Sequence, residues 1–358
     1  MINRARDAIC YVPFFPPNFI AMTVQRPQFL QSLLPGAKQA ANAGVCARVV
    51  RWVCSVRAMP RLCAVLLLAW AGHALAQDNG ALTPQPLPLL PGAADANTPA
   101  KSLFGRATRA APLEPEPIGF YSRGCLAGAQ ALPADGPQWQ AMRPSRNRNW
   151  GHPELIRFVE RFAPSAAQAS GWPGILVGDM AQPRGGPMLT GHASHQLGLD
   201  ADIWLKPMPV QRMSRAEREE VSSITVVRAD RLDVEPTAWT PGHQAVLRVA
   251  AMDEQVQRIF VNAAIKRALC RSAKGEPWLR KIRAEHGHDY HFHVRLFCPD
   301  GAAKCNVQDP TPEGDGCDAT LEWWFTDEAL HPKPSGVPPQ VLTLVKLPPE
   351  CRRVLTVQ

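Results

Sequence analysis

The chain has 358 residues, 46% of them hydrophobic and 20% charged, which is enough for one or two globular domains with a sizeable core. The formal net charge of +8 comes mostly from residues 1–58, which hold seven basic side chains and one acidic one, whereas the chain from Gln77 onward holds 31 basic and 30 acidic residues. That balance leaves no field of a single sign to attract a polyanion, so we expect no nucleic-acid partner.

Residues 59–76 have the features of a secretory signal peptide. They combine a basic start at Arg61, an apolar run too short for a permanent membrane anchor, and an Ala-x-Ala ending before Gln77. We therefore expect export to the periplasm and no integral membrane segment in the mature protein. Since such signals begin a chain, residues 1–58 are either a genuine extension or the product of an upstream start codon, with Met59 as the true initiator. Their lack of hydrophobic periodicity and helix caps favours the second interpretation.

The cysteines divide at the same point. Four of the ten precede Gln77, and six follow it: Cys125, Cys270, Cys298, Cys305, Cys317 and Cys351. An even number in an exported chain indicates disulfides, although sequence alone does not decide among the possible pairings. A second zinc site built from thiolates is the alternative, and the absence of a Cys-x-x-Cys pair among the six argues against it.

From Gln77 the chain begins with a segment of low structural content. Residues 77–113 are rich in proline, alanine and small polar residues, which predicts a linker or an arm lying on the surface. Residues 298–317 are rich in Asp, Gly and Pro and indicate a loop that depends on disulfides, and residues 352–358 are expected to form a short tail. Apolar spacing predicts helices over residues 153–163, 241–252, 263–270 and 278–283, and strands over 175–180, 199–205, 258–261 and 290–297.

Two short segments, residues 191–202 and 286–293, concentrate metal-binding side chains. Their histidines and the matching carboxylate are His192, His195, Asp202, His288, His291 and His293. Side chains alternate in direction along a strand, so the predicted strand over residues 290–297 places His291 and His293 on one face. Catalytic zinc takes three nitrogen or oxygen ligands and keeps one position for water. Two imidazoles and one carboxylate meet that requirement, and the sequence therefore predicts a single catalytic metal site.

The residues around both clusters resemble the penicillin-insensitive murein endopeptidases, which are relatives of the D-Ala-D-Ala metallopeptidases and of the Hedgehog signalling domain. The resemblance rests on a His-x-His-Val-Arg strand from His291 to Arg295 and on an earlier pattern, Ser194-His195-Gln196-x-Gly198-Leu199-Asp200-x-Asp202-Ile203. Residues 142–155, 184–188 and 258–262 also read as segments of that family. The similarity covers approximately residues 115–351, far more than a short motif.

This resemblance implies an α+β fold: a single Hedgehog/D-Ala-D-Ala-peptidase-like domain over residues 114–351, with a central antiparallel sheet stapled by disulfides. The implied disulfides are Cys125–Cys351, Cys270–Cys317 and Cys298–Cys305. The implied zinc ligands are His195, Asp202 and His293, with His192 as a possible additional ligand and Asp200 as a supporting residue. By the same resemblance His291 is the catalytic histidine, and His288 lies near the substrate with either a catalytic or a structural role.

Two further groups of residues leave alternatives open. Some relatives carry an Asp-x-x-His pair that can hold a second metal, but here the stretch reads Asp230-Arg231-Leu232-Asp233, so Asp230 and Asp233 form either a weak second site or an exposed turn. Arg143, Arg146 and Arg148 present fork-shaped donors that suit substrate carboxylates, or they form buried ion pairs.

The resemblance implies a zinc metalloendopeptidase that cleaves the D-alanyl to meso-diaminopimelyl cross-bridges of peptidoglycan. Gly-x-Ser-x-Gly, Ser-x-x-Lys and His-Glu-x-x-His motifs are all absent, which excludes a serine acyl-enzyme and predicts insensitivity to penicillin. A D,D-carboxypeptidase acting on stem peptides is the alternative enzyme, and a zinc-stabilised cell-wall-binding protein without turnover is the alternative of another class. The sequence leaves the oligomeric state open.

Overall fold

A computed structural model describes residues 97–333 and 341–358. The predicted extension, the signal peptide, most of the linker and the four N-terminal cysteines lie outside the described residues. Within the part that is described, no helix combines the length and the hydropathy that crossing a membrane requires.

The described residues form a mixture of helices and strands, which confirms the α+β class. The helices are α1 (Ala100–Phe104), α2 (Pro153–Ser170), α3 (Arg215–Glu220), α4 (Pro241–Met252), α5 (Ala263–Ala273), α6 (Ala319–Glu322), α7 (Asp327–Leu330) and α8 (Glu350–Thr356). Short 3₁₀ helices cover Pro144–Arg146, Pro277–Lys281, Trp323–Phe325 and Leu344–Lys346. The strands are β1 (Glu116–Phe120), β2 (Arg123–Ala127), β3 (Gln130–Ala131), β4 (Asp135–Gly136), β5 (Trp139–Ala141), β6 (Trp150–Gly151), β7 (Ile175–Val177), β8 (Asp200–Trp204), β9 (Val256–Val261), β10 (Ile282–Ala284) and β11 (His291–Leu296).

The main sheet has seven strands in the order β10-β9-β11-β8-β7-β5-β4. Its centre is antiparallel, as predicted, because β11 pairs antiparallel with both β8 and β9, and β8 pairs antiparallel with β7. Towards the two edges β10 pairs parallel with β9, and β5 pairs parallel with β7, so the whole sheet is mixed. Strand β11, the last strand among the described residues, therefore lies inside the sheet, where both of its edges are hydrogen-bonded.

Helix α2 covers one face of this sheet. His152 caps its first turn by accepting the N–H of Glu154 at 3.2 Å, and Phe162 meets Phe292 of β11 edge to face at 6.4 Å. The helix runs seven residues past the predicted end because Pro164 lies on its exposed side, where water can satisfy the carbonyl that proline leaves without a partner. Burial of Ala166 on the opposite side keeps the last turns against the core.

Three sequence predictions differ from the structure. Residues 278–283 are not one helix, because the 3₁₀ helix ends at Lys281 and β10 then pairs with β9. Part of the predicted linker is packed: Leu103 and Phe104 of α1 are buried. The expected tail is also folded, since residues up to Thr356 belong to α8 and Val354 joins the same apolar cluster as α1. Apolar side chains in both terminal segments thus cover one another.

The three disulfides that the resemblance implied are all present, joining Cys125 to Cys351, Cys270 to Cys317, and Cys298 to Cys305. The first joins β2 to α8 and is part of the apolar cluster formed by the two terminal segments.

Replacing Cys125 and Cys351 by serine is expected to lower the free energy of unfolding by about 2–5 kcal/mol, because the bond closes a loop of 226 positions. Denaturant unfolding of the two proteins measures the loss. The matched control replaces Cys298 and Cys305, which close a loop of only 7 positions, and should cost less. An equal or larger loss in this control would contradict the expectation.

Candidate metal centre

The two histidine clusters meet at the centre of the sheet. Strands β8 and β11 are paired so that His291 lies opposite Trp204, His293 opposite Asp202, and Arg295 opposite Asp200. Directly opposed side chains project from the same face of an antiparallel pair. The alternate residues of both strands, Ala201, Ile203, Phe292 and Val294, belong to the hydrophobic core. The pairing register therefore places the polar side chains together on the face away from α2.

The loop before β8 carries His195 to this face. Its backbone is left-handed (φ 66°), a conformation that is unfavourable for a residue with a Cβ and is found at functional sites. Its N–H donates to Oδ2 of Asp200 at 3.0 Å. The side chain of Gln196 accepts the N–H of Gly124 and donates to the carbonyl of Ser122, which ties the loop to the β1–β2 hairpin. These contacts hold the fully buried imidazole of His195 in place.

Four side chains direct nitrogen and oxygen atoms towards one another. Atoms of His192, His195 and Asp202 all lie within 4.8 Å of one another. Oδ1 of Asp202 is 3.4 Å from Nε2 of His195 and 3.4 Å from Nδ1 of His293. Oδ2 of Asp202 is 3.5 Å from Nδ1 of His192. The structure thus groups His192, the possible additional ligand, with His195 and Asp202, and His293 adjoins this group through Asp202.

These residues fit a metal ion. Nε2 of His195 and Oδ1 of Asp202 are buried without a hydrogen-bond partner, an arrangement that is costly unless another group satisfies them. Ligands held about 2.0–2.1 Å from a tetrahedral zinc ion lie about 3.4 Å from one another. The separations from Asp202 to His195 and His293 match that spacing.

The protonation states also suit a metal. Burial, followed by the neighbouring His195, lowers the pKa of His293 to about 3, so this imidazole is neutral at pH 7. Burial alone would raise the pKa of Asp202, but the imidazoles around it, with His291 first among them, outweigh burial and keep that pKa well below its usual value. His293 therefore offers a neutral nitrogen and Asp202 an ionised oxygen, which are the forms that bind metal.

Asp200, two positions before Asp202 on β8, supports the site. Its Oδ1 accepts from Nε2 of His293 at 2.9 Å and from Nε of Arg295 at 2.7 Å. Because Nε2 of His293 donates to Asp200, the lone pair of Nδ1 faces Asp202. A carboxylate that accepts the second N–H of a histidine is the usual support of a metal ligand.

The two histidines assigned to catalysis lie beside the ligands. Nε2 of His291 is 3.6 Å from Oδ2 of Asp202, and its Nδ1 is buried without a partner. Burial lowers the pKa of His291, although Asp202 acts in the opposite direction. His288 lies farther out, with its ring centre 5.0 Å from that of His291 and its Nδ1 2.8 Å from the carbonyl oxygen of His286.

An open cleft of about 460 Å³ leads to this group. Its lining includes Arg143, Arg146, His192, Asp202, Tyr290 and His291. A substrate in the cleft would therefore contact Asp202, His192, the predicted catalytic histidine and two arginines, whereas His195 and His293 lie behind the lining.

The chain also resembles a family of known proteins. The family model described as penicillin-insensitive murein endopeptidase matches residues 117–356. The chain belongs to that family. The match includes every strand of the main sheet and all six cysteines outside the N-terminal region.

Individual relatives carry the same description. The chain is 46% identical over 245 residues to a penicillin-insensitive murein endopeptidase of Haemophilus influenzae, covering 67% of this chain and 82% of the relative. It is 42% identical over 239 residues to one of Klebsiella pneumoniae (66% and 85%) and 43% identical over 242 residues to one of Yersinia enterocolitica (67% and 86%).

In this member of the murein endopeptidase family, the three arginines predicted either to bind substrate carboxylates or to form buried ion pairs have different surroundings. Arg148 is buried and donates from Nη1 to Oδ2 of Asp179 at 2.7 Å, so it forms the buried ion pair that the sequence left as an alternative. Arg146 also pairs with Asp179, at 3.0 Å, but lines the cleft. Arg143 lines the cleft as well, and its Nη1 donates to the carbonyl of Arg218 at 3.1 Å.

Asp179 is the site residue that the sequence analysis missed. It follows β7 and accepts from Nε2 of His192 at 3.0 Å as well as from Arg146 and Arg148. Burial alone would raise its pKa, but His192 and Arg148 outweigh burial and hold that pKa well below its usual range. Its partners come from two separate loops, so no local pattern marks this aspartate.

Replacing Asp179 by asparagine is expected to weaken zinc affinity by about tenfold, because His192 loses the charged acceptor that orients its ring. Competition with a fluorescent chelator measures the affinity. The control Asp253→Asn removes a more exposed ion pair with Arg161 and should leave affinity unchanged. Equal affinity of Asp179→Asn and the unaltered protein would show that His192 does not depend on this contact.

The possible second metal site has a different environment. Asp230 pairs with Arg228 and accepts the N–H of Leu232 at 3.0 Å, while Asp233 pairs with Arg271 at 2.7 Å. Among the described residues, the cluster that could hold a metal is the one at Asp202. The geometry favours the exposed turn over a second metal.

Proposed function

We propose that this protein is a zinc-dependent endopeptidase that hydrolyses the D-alanyl to meso-diaminopimelyl cross-bridges of murein. The observation that carries the proposal is the pair of buried, unpartnered atoms, Nε2 of His195 and Oδ1 of Asp202, that adjoin Nδ1 of His293 at the base of an open cleft. Membership of the murein endopeptidase family supplies the substrate class.

His195, Asp202 and His293 would hold the zinc ion, with His192 close enough to Asp202 to join or support them. When bound, zinc polarises a carbonyl group and lowers the pKa of water to about 7. Three protein ligands leave one position for substrate or water, which is the arrangement of a catalytic rather than a structural site.

His291 supplies the proton transfers. Its lowered pKa leaves the ring neutral near pH 7, so one nitrogen can accept a proton from the attacking water and return it to the amine that leaves. Its position in the lining of the cleft lets it reach a peptide bound there. His288, whose ring contacts that of His291, would bind or position the substrate on the outer side of His291.

Arg143 and Arg146 bind substrate carboxylates in this proposal. Both line the cleft and carry fork-shaped donors, and the diaminopimelyl group beside the scissile bond bears a free carboxylate that fits such donors. The reaction uses no serine nucleophile, so penicillin has no residue to acylate. Three disulfides and the predicted signal peptide at residues 59–76 support export, with the periplasm as the place of action.

Removal and return of zinc tests the proposal. The purified protein is dialysed against a chelator, its zinc is counted by elemental analysis, and its hydrolysis of cross-linked muropeptides is followed as zinc is restored. We expect activity to return in proportion to zinc, to a limit of one ion per chain. Full activity in metal-free protein would exclude the proposal, and release of terminal D-Ala from uncross-linked stem peptides alone would indicate a D,D-carboxypeptidase.

A further inference from the structure

Three consecutive aromatic residues, none of them buried, lie next to His286. Trp323, Trp324 and Phe325 form a 3₁₀ helix in which none of the three is buried, and Trp323 is 45% exposed. The two indoles meet edge to face at 5.2 Å, and the ring of the exposed His286 contacts Trp324 at 4.8 Å. We call Trp323, Trp324, Phe325 and His286 the aromatic shelf. Trp324 and Phe325 are half-buried and Phe325 packs against the core, so Trp323 and His286 supply the exposed aromatic surface and Trp324 connects them. Neighbouring exposed aromatic side chains mark a binding site more often than an isolated one does.

The residues next to the shelf hold it in a fixed position. The Cys270–Cys317 disulfide anchors the chain just before α6, and Asp318 caps α6 by accepting the N–H of Thr320 at 2.9 Å. Arg267 donates to Glu322 at 2.7 Å, and its guanidinium lies 3.2 Å from the ring centre of Phe325. A surface that is ordered before binding loses little conformational entropy when a ligand arrives.

The shelf is also continuous with the candidate metal centre. The carbonyl of His286 lies 2.8 Å from Nδ1 of His288, and the ring of His288 is 5.0 Å from that of His291. One hydrogen bond and two ring contacts therefore separate Trp324 from the catalytic histidine. A substrate long enough to lie on both would extend from the cleft across the outer histidines to the indoles.

We propose that the aromatic shelf binds the glycan strand of murein, an inference that rests on the proposed function. A cross-bridge hangs from its sugar chain by a short stem peptide, and an extended peptide spans about 3.3–3.6 Å per residue, so three residues place the sugar about 10 Å from the scissile bond. Two ring contacts of 4.8 and 5.0 Å and one hydrogen bond of 2.8 Å connect Trp324 to His291, which makes the shelf a neighbour of the scissile bond. Pyranose rings present flat faces of C–H groups with polar rims, which match indole rings that carry a polar N–H.

The size of the shelf favours a sugar over a protein partner. A stable protein interface buries about 1,200–2,000 Å² in total, far more than a few side chains provide. The shelf has four side chains and a charged neighbour, Glu322, whose side chain is 66% exposed. Such a surface suits one or two sugar rings, with the charged neighbour available to sugar hydroxyl groups.

The first test uses a ligand without any peptide. A hexamer of β-1,4-linked N-acetylglucosamine is titrated into the zinc-loaded full-length protein, and the dissociation constant is measured by calorimetry. Trp323→Ala and Trp324→Ala should each weaken binding by about fivefold, since one aromatic contact contributes about 0.5–1.5 kcal/mol. Trp324→Phe should restore most of the affinity because it keeps a ring. Phe297→Ala is the matched control, because Phe297 is also 45% exposed but is not part of the shelf, and this variant should bind as the unaltered protein does.

Lack of hexamer binding by the unaltered protein would overturn the glycan proposal and leave the endopeptidase proposal intact. Equal weakening in Phe297→Ala would overturn it too, because the effect would not be specific to the shelf. A second readout compares hydrolysis of intact sacculi with hydrolysis of cross-linked peptides freed from sugar by an amidase. The ratio of the first rate to the second should fall by about fivefold in Trp324→Ala. An unchanged ratio would argue against glycan contact during turnover.

Discussion

Replacing His291 by alanine is expected to leave one zinc ion bound per chain while the hydrolysis rate falls by about a hundredfold to ten-thousandfold, the range for loss of a general acid and base. Replacing His293 by alanine is expected to remove both zinc and activity. The difference follows from position, since His293 directs Nδ1 at Asp202 and donates from Nε2 to Asp200, whereas His291 lines the open cleft.

Elemental analysis and single-turnover hydrolysis of muropeptide dimers measure the two effects on the same preparations. Thermal unfolding in excess zinc serves as the control for folding of both variants. Substantial hydrolysis by either variant would contradict the assignment, and loss of zinc from His291→Ala would move that residue into the ligand set.

Replacing Asp200 by alanine is expected to lower the free energy of unfolding by about 3–5 kcal/mol, because it leaves the buried Arg295 without its charged partner. The same change should weaken zinc affinity by about tenfold to a hundredfold, because His293 loses the acceptor that fixes its ring and His195 loses the contact to its N–H. Chemical denaturation of zinc-free protein and chelator competition measure the two quantities separately.

The matched control for Asp200 is Glu116→Gln, which breaks an exposed ion pair with Lys304 of similar length, 2.8 Å. Exposed pairs contribute about 0–1 kcal/mol, so this variant should be nearly neutral for stability and neutral for zinc. If Asp200→Ala is no less stable than Glu116→Gln, the buried network does not hold the site together as described.

The sequence indicates which histidines share a face of a strand but not how the strands pair. Strand alternation placed His291 and His293 on one face, and the structure agrees. The register that sets His293 opposite Asp202 depends on which strands pair across the centre of the sheet, and periodicity within one strand carries no such information. Asp179 was missed for a related reason, since its value to the site comes from loops distant in sequence.

The sequence was less reliable at both ends of the described region. A proline-rich composition predicted a linker or an arm lying on the surface over residues 77–113, and it gave no sign that Phe104 would be fully buried. The short segment after Cys351 carries too few residues to show an amphipathic repeat. Its helix is stabilised by the packing of Val354 in the apolar cluster that includes α1 and by the disulfide from Cys351 to Cys125. Local patterns cannot reveal a helix that depends on a distant partner.

The most direct test of the central claim is the mass of the products that the zinc-loaded protein forms from purified cross-linked muropeptide dimers, with and without a chelator and with and without penicillin. We expect conversion of each dimer into two monomers with gain of one water, abolished by the chelator and unaffected by penicillin. Dimers that remain joined in the presence of bound zinc would contradict this expectation.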